Sequence, residues 1–226
     1  PTLANGQTAT ITFTLSEAST NFTLSDVTVT GGTLSGFTGS GTSYTATFTP
    51  TPSASATGTV SVAAGTFTDA AGNDNTAGAL SPPIVIDTVA PSIAISSSAA
   101  TLGGSQTATI TFTLSEASTN FTLGDVTVTG GTLSNFAGSG ASYTAVFTPA
   151  ASSTANGTIS VAANVFTDAV GNGNTAGALS SPIAIDTVSP SVTITTNKTA
   201  LKIGETATIT FTLSKNATNF LSSDVS

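Results

Sequence analysis

The chain has 226 residues and a formal net charge of −8, with three lysines, no arginine, no histidine and no cysteine. So few cations cannot neutralise a phosphate backbone or an anionic lipid surface, which excludes nucleic-acid binding and electrostatic membrane docking. Without His or Cys there is no disulfide, no zinc-hydrolase centre and no Ser-His-Asp or Cys-His nucleophile.

Charged residues make up 6% of the chain, against about a quarter in ordinary domains. Thr, Ser, Asn and Gly must therefore supply the polar surface. No apolar run approaches the ~20 residues of a membrane span, so no membrane insertion is expected of this segment. Neither a leader at Pro1 nor an anchor at Ser226 can be read, and the sequence reads as an interior portion of a longer chain.

Self-comparison organises the rest. The segment TATITFTLSEASTNFTLSDVTVTGGTLSGF at 8–37 returns at 107–136 as TATITFTLSEASTNFTLGDVTVTGGTLSNF. Ile11, Ile110 and Ile209 lie 99 residues apart, and so do Asp26, Asp125 and Asp224. A gapless period of that length matches one small autonomous domain and exceeds a solenoid unit. Three copies follow: 1–88 without its first strand, 89–187 complete, and 188–226 with the first three strands only.

Alternation with period 2 marks the strands. In TATITFTL, Ala9, Ile11, Phe13 and Leu15 face one way, and Thr8, Thr10, Thr12 and Thr14 the other. β-Branched Thr on the wet face favours a strand without adding charge. In the complete copy the predicted strands run over 93–97, 107–114, 125–129, 132–137, 142–148, 157–163 and 182–186. Gly31-Gly32 predicts a tight hairpin with positive φ, and Gly39-Ser40-Gly41 another. No segment shows helical spacing. Seven short strands with regular turn signals predict an all-β, immunoglobulin-like (Ig-like) sandwich. Phe13, Phe22, Phe37, Phe48 and Phe67 would fill its core in place of the absent Cys and Trp.

The few acids converge. Successive strands of such a sandwich reverse direction, so one pole collects the incoming linker, the loop after the second strand and the loop before the last. In the second copy that pole receives Asp87 from the linker, Glu116 and Asp125 from the first loop, and Asp168, Asn172 and Asn174 from the last. Asp186 and Asp224 repeat part of the pattern at the next joint. Crowded carboxylates without Lys or Arg repel one another and invite a cation. Oxygen-only ligands point to a hard one, Ca²⁺. The same acids also fit a plainer role as turn caps. EF-hand spacing is absent. A carboxylate pair such as Glu17 and Asp26 could in principle serve a glycosidase, but no Trp platform accompanies it, and the chain is not expected to be an enzyme.

ATITFTLSE, DVTVTGGTL, FTDAAGN and the linker D-T-x-x-P together resemble the bacterial Ig-like repeats of large secreted and biofilm-associated surface adhesins. The resemblance covers the whole chain. It implies an extracellular, cell-surface extender whose partners are the neighbouring repeats, often stiffened by Ca²⁺ between domains. Carried to this sequence, the candidate ligands are Asp87, Glu116, Asp125 and Asp168 at the first joint and Asp186 and Asp224 at the second. The third copy departs from the pattern, because Lys215 stands where the others have Glu17 and Glu116. A filament of copies joined by strand addition, or a glycan-binding module, remains an alternative.

Overall fold

A computed structural model describes residues 2–225. The first copy contains β1 (Thr2–Leu3), β2 (Ala9–Ser19), β3 (Val27–Thr30), β4 (Gly32–Pro50), β5 (Ser55–Val62), β6 (Gly78–Ala79) and β7 (Ile84–Asp87). The second contains β8 (Ile93–Ser97), β9 (Thr101–Gly103), β10 (Ala108–Ser118), β11 (Val126–Thr129), β12 (Gly131–Pro149), β13 (Thr158–Val161), β14 (Gly177–Ala178) and β15 (Ala184–Asp186). β16 (Val192–Thr196) and β17 (Ile209–Leu213) form the third, followed by a 3-10 turn at Ser222–Asp224. Equivalent 3-10 turns at Leu24–Asp26 and Leu123–Asp125 are the only other helical elements among the described residues.

The second copy has two layers. One carries β8-β10-β12, all antiparallel. The other carries β11-β13-β14 and the parallel pair β9-β15, with Gly157 and Ile183 bridging toward β13. The first predicted strand is thus only half of an edge. The chain pairs with β10 through β8, then crosses at Ser98–Ala100 to pair with β15 through β9. The third predicted strand of the last copy falls at the end of the described residues, and Val225 there belongs to no strand.

β12 spans the two strands predicted at 132–137 and 142–148, and it doubles back on itself. The amide of Ala150 donates to the carbonyl of Gly130 at 2.9 Å. A Cβ added at Gly138 would lie 2.3 Å from the Ser142 carbonyl, with φ +134 at that residue, so only glycine fits the bend. Gly31 does take a positive φ of 72°, but no hairpin forms there. β3 pairs with β5 and β4 with β2, so the Gly31-Gly32 pair carries the chain from one layer to the other.

The inward faces of the strands meet in one core in each of the first two copies. In the second, Phe112, Phe121, Phe147 and Phe166 are buried with Ile110, Ile159, Ile183 and Ile185. Phe121 is the hub of the aromatics, with ring centroids 5.6 Å from Phe112, 5.1 Å from Tyr143 and 5.0 Å from Phe166. Edge-to-face contacts of this kind suit the ring quadrupole. The buried Tyr143 hydroxyl donates to the Ser118 carbonyl at 2.9 Å. That bond and the Ser118–Gly140 pairing keep β10 extended past its predicted end at 114. Glu116 therefore sits on a strand, not in a loop.

The first copy is built alike but is less closed. Phe13 and Phe67 are half-buried where their counterparts Phe112 and Phe166 are buried. The cause is local: Ile93 and Ile95 of β8 cover the second core, whereas β2 pairs with β4 alone among the described residues. A groove of about 730 Å³ lies there, lined by Ile11, Phe13, Leu15, Val60 and Leu80 among others.

Candidate metal centre

Three carboxylates meet at the first joint. Asp87 ends β7, Glu116 stands on β10, and Asp168 lies midway along the loop between β13 and β14. One oxygen from each lies within 4.8 Å of the others. The sandwich topology brings them together: β7 delivers the linker to the pole where β10 ends and where the long loop turns. Among the described residues no cationic side chain enters the group, since every lysine belongs to the third copy. The Glu116 carboxyl is pushed above its ordinary range, first by partial burial and then by the charges of Asp87 and Asp168. Burial and like charges both disfavour the ionised form.

Asp168 has a second task. Its Oδ1 accepts the amides of Val170, Gly171 and Asn172 at 2.8–2.9 Å, and its Oδ2 accepts Asn172 Nδ2 at 2.7 Å. It caps the turn and joins the acidic group at once. Asp69 caps the same turn in the first copy, and hydrogen bonds, that from the Asn73 side chain foremost, hold its carboxyl below the usual range.

Asn172 is engaged across the joint. Its Oδ1 accepts the Asn5 amide of the preceding copy at 2.7 Å. Its Nδ2 donates to the main-chain carbonyl of Asp87 at 2.9 Å as well as to Asp168. This buried side chain is a pin between two domains. Asn174, predicted beside it, faces inward and shapes its own loop: it receives the amides of Val165 and Phe166 and donates to the carbonyls of Ala162 and Thr175.

Asp125 stands apart from the cluster. Its Oδ2 accepts the Thr122 amide at 2.7 Å and the Thr122 hydroxyl at 3.0 Å, which closes the 3-10 turn before β11. Asp26 does the same through Thr23, and Asp224 accepts the Leu221 amide. A short side chain three residues beyond its partner amide satisfies that orphan donor, and such a carboxylate is held at the turn. Asp186 turns instead to the ammonium of Lys215, whose hydrogen bond keeps its carboxyl below the ordinary range. So the structure gathers Asp87, Glu116 and Asp168, leaves Asp125 and Asp224 at turns, and pairs Asp186 with a lysine. The roles of Asn172 and Lys215 were out of reach of the sequence, because each depends on a contact across the joint.

Fold and joint together define a tandem array of Ig-like sandwich domains. The bacterial Ig-like domain profile matches residues 1–86, 87–185 and 186–226, and the chain belongs to that family. No curated protein matches it. Among solved structures it is similar to FdeC, a broadly conserved Escherichia coli adhesin, at 16% identity and a TM-score of 0.34, covering 92% of this chain and 68% of that one.

Proposed function

We propose that the chain is a spacer of a bacterial extracellular adhesin, a non-catalytic rod segment whose first joint is stiffened by Ca²⁺ among Asp87, Glu116 and Asp168. The observation that carries this reading is the convergence of those three carboxylates on the linker side of the joint. A hard cation relieves their repulsion, and carboxylate oxygen is the donor it prefers. Near-identity of the copies supports spacing over recognition, since no copy is specialised for a ligand of its own. Asn172 already ties Asn5 and Asp87 to the second domain, so an ion there would tighten a joint that is in contact without it.

Small-angle scattering and thermal melting in Ca²⁺ and in EDTA test the reading. Ca²⁺ is expected to raise the melting temperature of the second copy and to narrow the distribution of molecular lengths. Identical curves in both conditions would remove the metal from the account.

A second reading, assembly by strand addition, is favoured by the open β2 edge and its apolar groove. In the second copy that place holds β8, with Ile93 and Ile95 inward. Val192 and Ile194 on β16 repeat the spacing and are exposed. Electron microscopy of the purified chain is expected to show single rods under the spacer reading, and regular fibres under this one.

A further inference from the structure

The two joints share one backbone frame where the linker meets the strand that carries Glu116 or Lys215, and within that frame they differ in one charge. At the first, the Ser92 amide donates to Ser115 Oγ at 2.8 Å, and the Ser115 amide to the Ser92 carbonyl at 2.9 Å. At the second, Ser191 and Ser214 make the same two bonds at the same lengths. The residue after each second serine is Glu116 at one joint and Lys215 at the other. Lys215 Nζ donates to an Asp186 carboxylate oxygen and to the Val188 carbonyl at 2.7 Å. These partners correspond to Asp87 and Val89. Where the first joint crowds carboxylates together, the second places an ammonium against the linker.

We propose that Lys215 is a built-in cation, whose ammonium closes the second joint in the way a bound divalent ion closes the first, so that the second joint needs no metal. The proposal rests on the reading of the first joint given above. A lysine ammonium is a compact point charge with three donors, and here it meets one carboxylate and one main-chain carbonyl, both hard oxygen acceptors. Its position also marks the Val89 carbonyl as a further oxygen ligand for an ion at the first joint. An array with both kinds of joint keeps some segments stiff when Ca²⁺ is scarce and lets others respond to it. The Lys215–Asp186 pair is partly exposed, and exposed pairs add little to overall stability. The readout must therefore be joint order, not melting alone.

The absence of cysteine makes the measurement direct. Thr28→Cys and Thr127→Cys, both on exposed strand faces, take a spin label in each of the first two domains of the full chain. Pulsed electron resonance then reads the spread of distances across the first joint. In EDTA, Glu116→Lys is expected to narrow that spread to the width of the Ca²⁺-loaded unsubstituted chain, and added Ca²⁺ should change it no further. A spread as broad as that of the unsubstituted chain in EDTA would overturn the proposal. So would equal narrowing by Glu116→Gln, which removes repulsion without supplying a cation. An unsubstituted chain indifferent to Ca²⁺ would instead strike the reading of the first joint, and the ammonium's role is then decided by whether the spread of Glu116→Lys in EDTA is narrower than that of both the unsubstituted chain and Glu116→Gln.

Discussion

Phe147→Ala should cost the second domain about 3–5 kcal/mol, the range for deleting a buried aromatic ring. Domains of this size are stable by only about 5–15 kcal/mol, so the substitution removes much of what holds the copy folded. Phe147 is wholly buried, and the chain is shaped around it. A Cβ added at Gly157 would lie 2.7 Å from the ring, and one at Gly131 also 2.7 Å from it. Two glycines thus bring backbone from both layers onto the tip of the ring, and its loss is expected to leave a space that these backbones do not fill. Urea unfolding followed by the near-ultraviolet tyrosine signal, in chains carrying Tyr44→Phe so that Tyr143 alone reports, reads the loss. A change below about 1 kcal/mol, the cost of an ordinary substitution, would show that the site closes up and that the glycines do not fix the layer spacing. The same experiment on Phe48 in the first copy, where Gly32 and Gly58 approach the ring, should give a similar loss when Tyr143→Phe leaves Tyr44 to report.

That core was readable because strand geometry is simple. Side chains alternate with period 2, so Ile110 and Phe112 had to share a face and Thr109 and Thr111 the other. Gly31 was readable as a positive-φ position from its type. Whether the chain then paired with its neighbour or crossed to the other layer depended on Phe48 and Gly58, which are remote in sequence. The split of the first strand into β8 and β9 was hidden for the same reason. Each half pairs with a different distant strand, and the apolar pattern of 93–102 satisfies either layer.

The joint was legible in location and only partly in membership. The 99-residue period put the linker acids opposite the loop carrying Asp168, and the fold does bring Asp87, Glu116 and Asp168 together. Asp125 shared the pole but not the cluster, because Thr122 lies at capping distance and claims its carboxylate. A local hydrogen bond that closes a turn outcompetes a distant, like-charged group. Lys215 was visible as a departure from the repeat. Its partner was not, since the Asp186 contact spans 29 residues and forms only when the two copies dock.

Asn174→Ala should loosen the whole loop that supplies Asp168 and Asn172, at a cost of about 2–3 kcal/mol. The side chain is nearly inaccessible and makes four hydrogen bonds, all to main-chain groups and all between 2.8 and 3.0 Å. Alanine leaves two amides and two carbonyls without these partners, and one orphaned buried group already costs about 1–3 kcal/mol. Asn75 makes the same four bonds in the first copy, so the device belongs to the repeat. Hydrogen exchange is expected to quicken at Val165, Phe166 and Asn174, while β10 keeps its protection. The effect should reach the joint: with the loop loose, Asp168 no longer holds its place beside Glu116, and Asn172 no longer spans Asn5 and Asp87. Ca²⁺ should then stabilise the second copy less than in the unsubstituted chain. Fast exchange confined to the loop, with an undiminished Ca²⁺ response, would mean that Asp87 and Glu116 hold the ion without Asp168. The acidic pole would then be a property of the linker and β10 alone.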